Sequence, residues 1–270
     1  MNWWDKLRRA LQTPASQPSA PASRLNLPGW NLVQSAADSA TWRDGDGDVL
    51  SISVINEFVL PSNEYLLPSH LQDDGAVVKI CRQIAEAAGS GLLEAAVFGG
   101  KGGPAVGFIY KRLMGHAFLF TGFFAEAVLN QWNLWCMTAG ERGTTGVREA
   151  TITAQLLQAG KMTMEWYQAS WAQDPYDASY SGVDRRNLCY VSDDECYDEQ
   201  FPQHPLSKVR RVLRELGSHL ERKEKPSRVC RSEGEMGLGN PPAPGKQIKE
   251  VRIVVGEILP GTPSSPPKKQ

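Results

Sequence analysis

Residues 92–149 read LLEAAVFGGKGGPAVGFIYKRLMGHAFLFTGFFAEAVLNQWNLWCMTAGERGTTGVRE. This stretch decides the fold. Apolar, β-branched and aromatic runs predict strands at Leu92–Phe98, Ala105–Lys111, Ala117–Phe124 and about 130–139, with turn residues between them. Connections this short allow only antiparallel pairing, because a parallel pair needs a crossover of a dozen or more residues. In the last strand Trp132, Leu134 and Cys136 fall on one face and Trp135 on the other, as strand alternation places them. The loop Glu141–Glu149 then leads into a helix over Val147–Gln158, although Thr151, Ile152 and Thr153 are weak helix formers.

Upstream, Asp73 or Asp74 caps a helix over 76–88 whose apolar face is Val77, Ile80, Cys81, Ile84 and Ala88, and Gly89 ends it. Strand-like runs at Ala40–Arg43 and Val49–Ile55 flank Asp44-Gly45-Asp46-Gly47-Asp48, which is turn chemistry. The expected fold is therefore α+β: residues 24–160 form an antiparallel sheet meander with two packed helices, 76–88 and 147–158. Residues 161–222 form an aromatic-rich extension. It ends in a helix from Pro205 to about residue 225, striped by Leu206, Val209, Leu213, Leu216 and Leu220 and docked on the domain. Residues 223–270 read as a mostly disordered tail with a possible strand at 248–259. Residues 1–11 read as a short amphipathic helix with Trp3, Trp4, Leu7 and Leu11 on one side, tethered by the Pro/Ser-rich linker 12–23.

The chain has 270 residues, a net charge of −1, 41% hydrophobic and 22% charged residues. That balance suits a soluble core and provides no global field for nucleic acid, so no nucleic-acid partner is expected. No apolar run is long enough to span a bilayer, and no secretory signal is read at the N-terminus. Five irregularly spaced cysteines without a C-x-x-C pair fit free thiols, and the expected location is the cytoplasm.

Candidate sites are few, and no catalytic residue, metal ligand or cofactor is assigned. The aspartates at 44–48 fail the calcium-loop pattern, which demands Gly and Glu where Val49 and Ile55 stand. Gly99–Pro104 lacks the Lys-Ser/Thr pair and following helix of a phosphate loop. Cys189, Cys196 and His204 lack zinc-ligand spacing. The four histidines have no nucleophile-elbow context. In the 141–149 loop, Thr145 is expected to cap the helix, and two readings stay open. Thr145, Arg148 and Glu149 either contact a ligand, Arg148 holding an anion, or serve the sheet-to-helix connection. The acidic cluster 193–199 before the basic helix is either a carboxylate site, or a charge pattern that matches the helix dipole or pairs two oppositely charged surfaces, the second reading being favoured. Trp3, Trp4, Leu7 and Leu11 either pack on the same chain, insert at a membrane interface or dock into a partner groove.

Three motifs carry a resemblance. They are Glu141-x-Gly143-x-Thr145-Gly146-x-Arg148-Glu149-Ala150, then Asp174-Pro175-Tyr176-Asp177, then the run from Ser192 to Arg210 containing Phe201-Pro202-x-His204-Pro205-Leu206. Together they resemble an uncharacterised bacterial family over about residues 40–217. The strand order is similar to the fold of the Ran-binding protein Mog, the photosystem protein PsbP and the lipoprotein DcrB, which also includes Eag-type chaperones of type VI secretion. What this implies is a bacterial binding or adaptor protein that engages a protein partner, in a chaperone-like or immunity-like role. The alternative is a small anionic-ligand-binding protein or hydrolase with a cleft near Thr144–Glu149.

Overall fold

The computed structural model describes residues 29–99, 103–218 and 221–222. The expectations for residues 1–11, 12–23 and 223–270, including the strand at 248–259, lie outside the described residues.

One eight-stranded antiparallel sheet organises the rest, in the order β1-β2-β3-β7-β6-β5-β4-β10. Its strands are β1 (Trp30–Ser35), β2 (Ser39–Asp44), β3 (Val49–Ile55), β4 (Gly91–Gly99), β5 (Ala105–Met114), β6 (Ala117–Val128), β7 (Gln131–Gly140) and β10 (Glu221–Arg222). The predicted meander is present: β4 to β7 pair in succession, with Phe108 opposite Phe123 and Phe123 opposite Cys136. A second three-strand meander, β1 to β3, joins it where β3 pairs with β7, Ile52 opposite Trp135. The β2–β3 turn is held as its composition suggests. Asp44 Oδ1 accepts the amides of Asp46 at 3.0 Å and Asp48 at 2.8 Å, and Gly47 takes φ +80°.

Both faces of the sheet are buried. One is covered by α1 (Asp74–Ala87), whose N-cap Asp73 accepts the Gly75 amide at 2.9 Å. Val77, Cys81 and Ile84 meet Phe108, Phe123, Trp132 and Leu134 there. The opposite face carries Leu50, Ile52, Phe120, Phe124, Trp135 and Met137. The sequence expects the helix α2 (Val147–Gln158) to pack on the sheet, but the helix that lies on this face is α4 (Pro205–Leu216), docked as expected through Leu206, Val209, Leu213 and Leu216, with Val212. Gly122 of β6 permits that approach, since a Cβ there would stand 2.5 Å from Val209 Cγ1. With the face taken, α2 buries Ile152 and Leu156 instead against Met162, Trp171 and Leu188 of the extension, a third core ringed by Trp166, Tyr167, Tyr190 and Phe201. The remaining elements of that region are α3 (Met164–Ser170) and a small ribbon of β8 (Ala172–Gln173) with β9 (Cys189–Tyr190).

Helix α4 also stops earlier than the expected end near residue 225. It ends at Leu216 with Gly217 as its cap, where a Cβ would come within 2.8 Å of the Phe98 ring. The chain then returns to the sheet, pairing Glu221 with Gly99 and Arg222 with Phe98.

Candidate functional site

Strand β7 delivers Glu141 at its end, and the loop after it turns through Gly143 (φ +68°) and Gly146 (φ +72°), backbone conformations that favour glycine. Gly146, not Thr145, is the N-cap of α2. The Thr145 hydroxyl donates instead to the His116 carbonyl at 3.0 Å, tying the loop to the β5–β6 turn, so the expected cap is replaced by a cross-link between two loops. Glu141 closes this arrangement: Oε1 accepts the Gly146 amide at 3.0 Å and Oε2 the Phe118 amide at 2.9 Å.

From the N-terminus of α2, Arg148 and Glu149 point to different surroundings. The Arg148 side chain is fully buried, and its guanidinium donates in five directions. Nε bonds the Ser192 carbonyl at 2.6 Å, Nη1 the Ser207 hydroxyl at 2.9 Å, Nη2 the Asp194 carbonyl at 2.8 Å, and both terminal nitrogens the Asp198 carboxylate at 3.1 Å. Every N–H is thus committed, and Arg148 has none left for an anion. Arg210 of α4 adds a second guanidinium on Asp198 at 2.8 Å. The acidic cluster and the basic helix therefore pair with each other, as oppositely charged surfaces do. Behind them Lys111 and Asp193, both fully buried, meet at 2.6 Å, with the Lys111 ammonium over the Tyr190 ring. Burial alone would raise the Asp193 carboxyl. The Lys111 charge and hydrogen bond, with the Tyr190 amide, hold it below its ordinary value instead.

Glu149 has no such partners. Both of its carboxylate oxygens are buried and without a hydrogen bond, and burial, then the nearby Asp193 charge, raises its pKa. His204, the N-cap of α4, stands beside it. Its Nδ1 accepts the Leu206 amide at 3.3 Å, while its Nε2 is buried and unpartnered, 3.7 Å from Glu141 Oε1 and too far for a hydrogen bond. Burial opposes ionisation of Glu141 too, but the His204 ring and the amides of Phe118 and Gly146 bring its pKa below the ordinary value.

Glu141 and His204 line a cleft of about 270 Å³ together with Thr144, Arg142 and Lys208. Two clusters of potential metal ligands occur among the described residues, each with donor atoms within 4.8 Å of one another. One is Asp44, Asp46 and Asp48, and its cation is already supplied: the Lys208 ammonium bonds Asp44 at 3.4 Å, Asp48 at 3.1 Å and Asp46 as well. Arg142 joins the same cluster at Asp48, 2.7 Å away. The other is Glu141, Glu149 and His204, which no basic side chain of the described residues fills in this way.

Of the residues singled out from sequence, Glu149 thus lies in the cluster, Arg148 braces the structure beside it, and Thr145 holds a loop. Trp3, Trp4, Leu7 and Leu11 lie outside the described residues. Glu141 and His204 are the residues that sequence reasoning missed as a pair. Glu141 opens the quoted loop, and the Pro following His204 marks a helix start, but 62 residues of intervening chain hide their convergence. Cys189 and Cys196 do not join His204: Cys189 is buried with its thiol toward the Tyr190 carbonyl, and Cys196 is exposed.

A second surface feature is the outer edge of β1. No strand pairs with it among the described residues, and Leu32 and Val33 are each 56% exposed. Register with β2 slips between Leu32 and Gln34, leaving Val33 in a bulge. No helix among the described residues is long and apolar enough to cross a membrane. The chain matches no family model and no curated protein.

Proposed function

We propose that this chain is a non-catalytic binding protein that engages a protein partner by accepting an added strand along β1. The observation that carries the reading is the open edge itself: backbone donors and acceptors that no strand among the described residues pairs, beside two exposed aliphatic side chains, on a sheet whose faces are both covered. Sheet edges left open are usually blunted by charge, proline or covering loops, because they template pairing with another chain. Here Leu32 and Val33 carry no charge, and among the described residues the bulge at Val33 is what blunts the edge. A bacterial, cytoplasmic adaptor of chaperone-like or immunity-like type fits this reading, with residues 1–11 as a second docking element through Trp3, Trp4, Leu7 and Leu11.

The cleft offers an anion no uncommitted guanidinium or ammonium among the described residues. The guanidinium expected to hold it, Arg148, is saturated by Asp198, Ser207 and backbone carbonyls, and the cleft's own cations, Lys208 and Arg142, are paired with aspartates.

Affinity capture from the native cells compares the wild type with a Leu32→Glu/Val33→Lys variant and with a chain lacking residues 1–11. A partner recovered in stoichiometric amount by the wild type and lost by the charged-edge variant, with circular dichroism unchanged, supports the reading. An identical partner list for wild type and edge variant rejects it.

A further inference from the structure

We propose that Glu141, Glu149 and His204 form a binding site for a first-row divalent metal ion, of the manganese–zinc class, at the floor of the cleft. The inference is independent of the partner reading and rests on what these side chains lack. The Glu141 and His204 side chains are 6% and 9% exposed. Glu149 Oε1, Glu149 Oε2 and His204 Nε2 are all buried, and none has a hydrogen-bond partner. A buried polar atom left unpaired is destabilising, and more so when charged, so three such atoms on neighbouring side chains are a costly arrangement without an occupant. The donors lie within 4.8 Å of one another, as ligands of a single ion must.

Charge and donor type specify the occupant. Two carboxylates offset a dication, and the cations elsewhere in the neighbourhood are spent: Lys111 on Asp193, Arg148 on Asp198, Lys208 on the three aspartates. Two oxygen donors with one imidazole suit Mn²⁺, Fe²⁺ or Zn²⁺, whereas Ca²⁺ and Mg²⁺ prefer oxygen alone and soft ions prefer thiolates. Glu141 and His204 face the cleft and Glu149 does not, so an ion held by all three keeps solvent on the cleft side.

The structure also predicts a local consequence. In the neutral ring, the Leu206 amide at Nδ1 places the imidazole proton on Nε2. Coordination through Nε2 moves that proton to Nδ1, which then no longer accepts the Leu206 amide. Metal loading therefore exchanges an N-cap hydrogen bond of α4 for a metal bond.

The test uses the full-length chain, stripped with EDTA and titrated calorimetrically with MnCl₂ and ZnCl₂. The comparison variants are Glu149→Gln, which keeps shape, and His204→Asn, which retains a helix-capping side chain. One equivalent of metal is expected for the wild type, with affinity reduced about tenfold or more in each variant and with circular dichroism unchanged. Mn²⁺ should broaden the amide resonances of Gly146 and Leu206, and Zn²⁺ should speed exchange of the Leu206 amide. No saturable binding of either ion would overturn the proposal, and a buried water would then satisfy the three atoms. Binding of equal affinity in the wild type and both variants, or Mn²⁺ broadening centred away from Gly146 and Leu206, would overturn it as well.

Discussion

Replacing Arg148 by methionine removes a guanidinium while keeping most of the side chain's bulk. In the native protein this group joins α2 to the Ser192–Asp198 turns and, through Ser207 and Asp198, to α4. Its loss strips the Ser192 carbonyl of its arginine donor, and a neutral buried acceptor left this way costs about 1–3 kcal/mol. Asp198 loses one of its two close guanidinium partners but keeps Arg210 at 2.8 Å, so only part of the cost of breaking a buried pair, about 3–5 kcal/mol in full, applies. The two contributions together predict a loss of about 4 kcal/mol. With a urea m-value of about 2 kcal/mol/M, the midpoint should fall by about 2 M. Urea unfolding followed by far-UV circular dichroism and tryptophan fluorescence measures this directly. Hydrogen exchange should show α2 losing protection before the β4–β7 strands, because α2 packs in the third core and not on the sheet. A loss below about 1 kcal/mol, the scale of an exposed pair, would refute the assignment of Arg148 as the brace between these elements and return it to the role of a ligand contact.

Other expectations concern the sheet faces, the buried ion pair and a thiol. Gly122→Ala places a methyl 2.5 Å from Val209 Cγ1 and 3.1 Å from Leu213 Cδ1, and overpacking of this kind should cost about 1–3 kcal/mol in a thermal or urea melt. Lys111→Met should cost about 3–5 kcal/mol, while Lys111→Met with Asp193→Leu should recover much of the loss, a coupling that a double-mutant cycle reads. Because the folded pKa of Asp193 is lowered, its contribution is whole above its unfolded value of about 4. That contribution is lost as pH falls through the folded value, so Asp193→Asn should flatten the acid limb of stability against pH. Cys196 is exposed, but burial of its thiol and then Asp194 push its pKa up to about 11 from 9.0. Its thiolate fraction at pH 8 is therefore about a hundredfold lower, partly offset by higher nucleophilicity, and iodoacetamide should label it about tenfold more slowly than an unperturbed thiol.

The meander was legible because each of its strands announces two faces. Trp132 and Leu134 go to the α1 side and Trp135 and Met137 to the α4 side, as alternation requires. The stripe of α4 was legible for the same reason at helical spacing. What α2 packs against was not, since an amphipathic pattern tells which residues are buried and never against what. Strand β1 escaped notice because an edge strand buries little: Asn31, Gln34 and Ser35 leave no alternation to read. The loop at 141–149 stood out in sequence, but the acceptors that consume Arg148 are carbonyls of short 3₁₀ turns, which carry no side-chain signature. Glu141, Glu149 and His204 share no spacing rule, because strand β7, helix α2 and helix α4 bring them together only after both sheet faces are closed.

The most direct examination of the central claim is photo-crosslinking in living cells from single positions on β1. A photoreactive residue at position 32 or 33 should give one discrete adduct of higher mass, absent when the probe replaces exposed Glu57, two residues past the end of β3. Tandem mass spectrometry of that adduct should place the bond in an extended segment of a second protein. Absence of any adduct at 32 and 33 under conditions where the protein is folded and abundant would contradict the claim that β1 receives a partner strand.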